Sequence, residues 1–236
     1  MRERARDTTA AQATSADGYL PRTRTTPTRL RERAAYDRRT VHTVLDEAYI
    51  CHLGFVVDGE PVVLPTIHAR LGEILYLHGS TGSRPLLAAA ADGLAVCVTV
   101  TLVDGLVLAR SAFHHSMNYR SVVAHGVARL VTDPGEKRVA LGAIVDHVVP
   151  GRSADCRPPS AKELAATSVL RLELADVSAK VRTGDVADEE QDLGLPHWAG
   201  VLPLTLAPGE PRPAGGLDRA IPPPPYLGDP RVSSAR

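Results

Sequence analysis

The chain has little of what would place it outside the cell, in a membrane or on nucleic acid. Three cysteines, Cys51, Cys97 and Cys156, are too few and too far apart for a disulfide framework or a four-thiolate zinc site, and an odd count points to a reducing compartment. Neither sign of charge is in excess: 27 basic residues balance 27 acidic ones, which removes the general attraction of a basic surface for phosphate backbones and makes nucleic acid a poor partner. No apolar run is long enough to span a bilayer; the longest, Leu94 to Leu108, is interrupted by Asp104 and Gly105. Arg2, Arg4 and Arg6 are not followed by the apolar stretch of a secretory signal. A soluble, cytoplasmic protein is expected. The 44% of hydrophobic residues in 236 is enough for one sizeable core.

Composition divides the chain in three. Residues 1–30 are rich in Arg, Thr and Ala without periodicity and read as a disordered arm; residues 208–236 carry Pro211, Pro213 and Pro222 to Pro225 and read as a solvated polyproline tail. Residues 31–207 form the folded domain. Within it Tyr36 to Ala48 has a helical stripe, Val41, Val44, Leu45 and Ala48. Strands follow at Ile50 to Val57 and Pro61 to Leu71 around an Asp58-Gly59 turn, and at Ile74 to His78. Ser83 to Ala91 reads as a short helix, Leu94 to Val103 and Leu106 to Phe113 as a second hairpin around Asp104-Gly105, and Tyr119 to Val131 as a long strand. Asp133-Pro134 opens a helix to about Val149, and Ser160 to Ala166 is a helix before a strand at Val169 to Leu174. Six strands in hairpins with flanking helices predict a mainly β, α+β domain built on a small antiparallel barrel, closed or partly closed.

Two segments carry chemistry. Tyr76 to Arg84, Tyr-Leu-His-Gly-Ser-Thr-Gly-Ser-Arg, ends a strand in hydroxyls and starts a helix with an arginine, an arrangement that suits a phosphate: helix amides, Ser80, Thr81, Ser83 and the fork of Arg84 could hold a dianion, and an ordinary turn capped by Ser83 is the plain alternative. His114 to Val123 is a polar block entering a strand of Val and Ala, and its residues either face water or meet a ligand.

The ordered set of motifs, Leu-His-Gly-Ser-Thr-Gly-Ser-Arg at 77–84, Val-Cys-Val-Thr-Val-Thr at 96–101, Asn-Tyr-Arg-Ser-Val-Val at 118–123 and Gly126, resembles the pyridoxamine 5′-phosphate oxidase-related FMN-binding split-barrel family, in its nitroimidazole-resistance-like branch. The resemblance spans residues 25 to 206 and implies a six-stranded antiparallel Greek-key split β-barrel that forms a homodimer, with FMN, or in some relatives a deazaflavin or haem, in two clefts at the interface. It implies that Arg84, Ser80, Thr81 and Ser83 hold the cofactor phosphate and that Pro65, Thr66, Ile67, His68, Leu77 and His78 lie along the isoalloxazine edge. Asn118, Tyr119, Arg120 and Ser121 would close the cleft from the other subunit, and Trp198 would cover the ring. His78 is the residue expected to touch substrate.

The implied activity is flavin-dependent oxidoreduction of an unidentified small molecule by hydride transfer through flavin N5; the alternative is a non-catalytic flavin carrier or sensor. Oxidation of vitamin B6 is not expected, because the Arg-Leu-x-Pro and Arg-x-His elements of true pyridoxamine phosphate oxidases are missing. Nine histidines, among them His52, His68, His78 and the pair His114-His115, invite a metal reading, but no zinc-type spacing occurs and no metal site is expected. No Gly-x-Ser-x-Gly elbow appears, so a serine hydrolase is excluded.

Overall fold

The computed structural model describes residues 18–83, 89, 92–218 and 220–228. Arg84 and nearly all of the helix expected over Ser83 to Ala91 lie outside the described residues.

Helix α1 (Arg38–Glu47) starts where the Asp37 carboxylate accepts the Thr40 amide at 2.8 Å, and it buries Val41, Val44 and Leu45 on one stripe. The chain then enters β2 (Ile50–Val57), whose alternate residues Cys51, Leu53 and Phe55 point inward. Asp58 and Gly59 both have positive φ, 54° and 82°, the backbone of a tight primed turn, and they return the chain as β3 (Glu60–Leu71) in the register Val57 to Glu60. β4 (Ile74–Ser80), β5 (Leu94–Leu108), β6 (Ser116–Leu130), β7 (Thr167–Glu173) and β8 (Asp176–Arg182) follow, with short edge pairings from β1 (Ala34–Ala35) and β9 (Gly200–Pro203). Every pairing is antiparallel, and six strands pair in a circuit, β6 to β7 to β4 to β3 to β2 to β5 and back to β6. This is a mainly antiparallel β domain with few helices, the split-barrel arrangement.

The interior is filled by Leu53, Phe55, Leu75, Leu77, Val96, Val98, Val100, Leu170 and Leu172. Helix α2 (Pro134–Val148), capped by Asp133 onto the Glu136 amide at 2.6 Å, covers a second cluster of Ala69, Tyr76, Val131, Ala140, Ile144 and Val169. Helix α3 (Ala161–Ala166) is held by a reciprocal capping box between Ser160 and Glu163. No helix among the described residues is long and apolar enough to cross a membrane.

The structure corrects the sequence reading in three places. Asp104-Gly105 is not a hairpin turn: neither residue has positive φ, and β5 runs straight through them with a bulge between Val103 and Gly105. The sixth strand of the circuit is instead β7, whose hydrophobic run was read as an addition to the barrel. Residues 18–30, which composition assigns to a disordered arm, pack onto the domain: Tyr19 is 6% exposed within the core, its hydroxyl donates to Glu73 at 2.7 Å, and Arg22 and Arg24 pair with Asp176. The polar composition of that segment hid its partners, which are distant in sequence. The proline-rich stretch 208–218 is exposed throughout.

Gly93 has φ +90°, and a Cβ there would stand 2.6 Å from Val127 Cγ1 and 3.0 Å from the Ala128 carbonyl oxygen, whereas a Cβ on Gly142, inside α2, would meet nothing within 4 Å. Gly93→Ala should lower unfolding free energy by about 1–3 kcal/mol, and Gly142→Ala should raise it by about 0.5–1 kcal/mol; urea denaturation of the two variants checks both signs.

Candidate functional site

The expected site residues fall into two groups on the circuit. β3 and β4 are neighbours in a ladder that begins at His68 and Leu77; Pro65, Thr66 and Ile67 precede it on β3, paired with His52, Cys51 and Ile50 of β2, and His78 follows Leu77 on β4, paired with Val169 of β7. β4 continues through Ser80, which pairs with Thr167, and then turns: the Thr81 amide donates to the Ala166 carbonyl at 3.1 Å, and the Ser83 amide donates to the Ser80 carbonyl at 2.9 Å. The strand-end motif is therefore one continuous structure from Leu77 to Ser83.

Within it, two polar atoms are buried and have no partner among the described residues, His78 Nδ1 and Ser83 Oγ. Each is a group that water or a neighbour ordinarily satisfies, and an unmet buried polar atom costs free energy unless something fills the position. Burial also pushes the His78 pKa below its ordinary value, so its ring is neutral at pH 7 and keeps a free lone pair on one nitrogen. Arg84, the expected phosphate ligand, lies outside the described residues.

The second group is on β6. Around the circuit it is separated from β3 by β2 and β5, and from β4 by β7. Within one chain the two groups are not brought together, and most polar atoms of the second are already committed. Asn118 Oδ1 accepts from Arg182 Nη1 at 2.5 Å while its Nδ2 donates to the Gly184 carbonyl at 3.0 Å, and Ser121 Oγ donates to the Lys180 carbonyl at 3.3 Å. Arg120 is clamped between two carboxylates: Nε and Nη2 reach Asp104 at 2.9 and 2.7 Å, Nη2 reaches Glu47 Oε1 at 2.7 Å, and Nη1 donates to Glu47 Oε2. Those hydrogen bonds, from Glu47 first and then Asp104, hold the guanidinium in its charged form. Arg120 thus ties β6 to β5 and to the C-terminal end of α1. Trp198 stands before β9, on the far side of β5, and is 69% exposed.

His68 proves to be structural. It is fully buried, its Nε2 donates to the Leu45 carbonyl at 2.8 Å, and its ring lies 4.7 Å from that of His147, whose Nε2 meets the Ala48 carbonyl at 2.9 Å. Two histidines from β3 and α2 therefore satisfy free carbonyls at the C-terminus of α1, a role served more often by a C-terminal glycine motif. No sequence signal pointed to His147, because its partner is 99 residues away. A cavity of about 510 Å³ between β3 and α2 is lined by Asp46, Arg70, Asp146 and Ser153, but these pair with one another, Arg70 with Asp46 at 2.5 Å and Ser153 with Asp146 at 2.6 Å. Among the described residues no three His, Cys, Asp or Glu side chains gather as a metal site would require.

Fold and strand-end motif together define a split-barrel protein. Residues 37–181 match the pyridoxamine 5′-phosphate oxidase family model, and the chain belongs to that family. It is similar to the flavocytochrome Anf3 of Azotobacter vinelandii, with 39% identity over 89% of this chain and 97% of that one and a TM-score of 0.82. It is also similar to the FAD and heme binding protein of Mycobacterium smegmatis, with 38% identity over 83% of this chain and 96% of that one and a TM-score of 0.78. A 5-nitroimidazole antibiotic resistance protein of Bacteroides thetaiotaomicron shares the fold, with 23% identity over 63% of this chain and 86% of that one and a TM-score of 0.53. No curated protein matches.

Burial pushes the His68 pKa down from 6.5 to about 4. The unfolded chain therefore takes up a proton near pH 6.5 that the folded one refuses until about pH 4. This contribution to stability is complete above pH 6.5 and is lost as the pH falls from 6.5 to 4, by about 3 kcal/mol. His68→Gln should flatten that part of the profile, as read by urea denaturation at pH 7.5, 6, 5 and 4.

Proposed function

We propose that the protein is a flavin-binding oxidoreductase that also carries haem, with its flavin seated on the strand-end motif of β4. The observation that carries this reading is the pair of buried, unpartnered atoms His78 Nδ1 and Ser83 Oγ in a motif of hydroxyls that ends on Arg84. It is supported by two relatives at 38 and 39% identity, one described as a flavocytochrome and the other as binding FAD and heme. Sequence alone favoured FMN; the second of these relatives favours the dinucleotide FAD.

On this reading Ser80, Thr81, Ser83 and Arg84 hold the phosphate and the backbone of Pro65 to His68 with Leu77 and His78 lines the ring edge. When bound, the flavin supplies hydride acceptance and donation, and the chain supplies orientation, hydrogen bonds and exclusion of water. His78, neutral at pH 7, is placed to offer a hydrogen bond to a substrate without adding charge beside the ring. Asn118, Tyr119, Arg120 and Ser121 reach the cleft from a second copy, since on their own chain β7 stands between β6 and the β4 motif on one side and β2 and β5 between β6 and β3 on the other. The exposed apolar residues Ile50, Val56, Val63, Leu64 and Val103 on β2, β3 and β5 suit such a homodimer.

Haem needs an imidazole nitrogen that is not already committed. His52, His78, His125 and His197 make no hydrogen bond among the described residues, and a histidine that spends one nitrogen on a carbonyl keeps the other, as His68 does with Nε2 on Leu45 and Nδ1 buried without a partner, so the iron ligand is drawn from these five. The free thiols Cys51, Cys97 and Cys156 accord with a reducing, cytoplasmic setting. The substrate is a small organic molecule other than pyridoxamine phosphate.

Protein purified without added cofactor should release a flavin, identified by mass, and show both a flavin spectrum and a haem Soret band. A colourless protein that also refuses added flavins and haem would overturn the reading. Arg84→Ala should weaken flavin binding roughly 10- to 150-fold by calorimetry, and flavin affinity should rise with protein concentration if the cleft takes both copies. Failure of the bound flavin to be reduced by any nicotinamide donor, or reoxidised by nitro, quinone and enone acceptors, would leave a carrier rather than an enzyme.

A further inference from the structure

The barrel splits at Gly126. Up to His125, β6 pairs with β8; from Arg129 it pairs with β7, and between the diverging β7 and β8 lies a cavity of about 340 Å³. Its wall carries Arg22 from the N-terminal segment, His125 and Arg129 from β6, Arg171 from β7, and the acids Glu173 and Asp176. Arg24 stands just behind, bonded through Nε to Asp176 at 3.0 Å.

The donors of these guanidinium groups are largely unspent. Arg22 Nε is ion-paired with Asp176 Oδ1 at 2.7 Å, an oxygen that is buried and makes no hydrogen bond among the described residues, and Arg129 uses one nitrogen on the Asp92 carbonyl at 3.2 Å. Arg171 makes no hydrogen bond among the described residues: its Nε is buried and unpartnered, and its nearest carboxylates, Glu136 and Glu173, are 3.6 Å away. Four arginines, Arg22, Arg24, Arg129 and Arg171, meet three carboxylates, Asp176, Glu173 and Glu136, which leaves one positive charge in excess. The local field is also legible at His125, whose pKa is lowered by burial first and by Arg24 second. A pocket walled by forked cations with free N–H groups, too large for a single phosphate, matches an anion that bears two charged oxygen groups.

We propose that this cleft between β7 and β8 is a binding site for a small molecule carrying a phosphoryl group, with Arg171 as its central contact and Arg22 and Arg129 at its sides. It is distinct from the flavin seat: Arg171 is four residues along β7 from Thr167, the partner of Ser80, a separation of roughly 13 Å. The inference does not depend on the flavin reading.

The test is calorimetric titration of the protein as purified with pyrophosphate, at constant ionic strength, alongside Arg171→Gln and, as a variant on an exposed strand position, Arg129→Gln. One saturable site per chain is expected, weakened roughly tenfold in each variant, with bound flavin content unchanged. Absence of saturable binding up to roughly 10 mM, or equal affinity in both variants and the parent, would overturn the proposal. Loss of flavin together with pyrophosphate binding would also overturn it, by assigning the cleft to the flavin site; a protein that binds pyrophosphate but never flavin would sink the flavin reading and leave this one standing.

Discussion

The closed circuit of strands depends on β6 serving two partners, and the change of partner is made possible at Gly126. A Cβ at that position would lie 2.7 Å from Leu172 Cδ1, so glycine lets β6 pass β7 without displacing the Leu172 side chain where Arg129 and Leu130 go on to pair with Arg171 and Leu170. Without that pairing, β4 and β7 would form an open flap whose inner face, Leu75, Leu77, Leu170 and Leu172, is too apolar to stand in water. Closure buries those leucines and sets the separation of the two candidate site segments around the barrel. The same change of partner opens the gap between β7 and β8. The shape of the core and the presence of the arginine-lined cleft are two results of one backbone requirement.

Much of this was legible in residues and some was not, for reasons that differ by element. Asp58-Gly59 and Asp104-Gly105 are identical dipeptides between apolar runs. The first becomes a turn because both residues adopt positive φ; the second stays in a strand because Asp104 is held by Arg120 and the backbone of β9 pairs beside Gly105. A local pattern cannot tell them apart when the deciding partners are 16 and about 100 residues away. β8 escaped notice although Val177, Ala179 and Val181 alternate with Ser178, Lys180 and Arg182, because the alternation is short and its apolar residues few, and residues 18–30 because their anchors, Glu73 and Asp176, are distant acids. Helices were easier: the stripe of Val41, Val44, Leu45 and Ala48 marked the first and Asp133-Pro134 opened the second, and in the structure Asp37, Asp133 and Ser160 cap three N-termini by bonds that act within three residues.

The candidate site shows the same division. The strand-end motif from Leu77 to Ser83 is local, and its expected continuity is what the structure shows. The roles of His68 and Arg120 are not local. His68 was expected at a ring edge through its backbone, and its side chain caps a helix; Arg120 was expected at a cleft, and its side chain clamps Glu47 and Asp104. Both residues converge on α1: one satisfies the Leu45 carbonyl and the other pairs with Glu47. Since β3 and β6 carry the two site segments, α1 is the part that fixes both relative to the barrel.

This arrangement explains why a charged residue can sit in a site segment without deciding its chemistry. Arg120 spends its donors on two carboxylates, so the cation is neutralised where it stands and contributes position rather than field. The atoms left for a ligand are the neutral ones, a desolvated imidazole and a serine hydroxyl, both without a protein partner. Groups that are neutral beside the proposed ring position, with the charge of Arg120 already paired, would orient a reactive cofactor without competing with it for protons or electrons. That is the division of labour expected where a bound group, rather than the chain, supplies the reactivity.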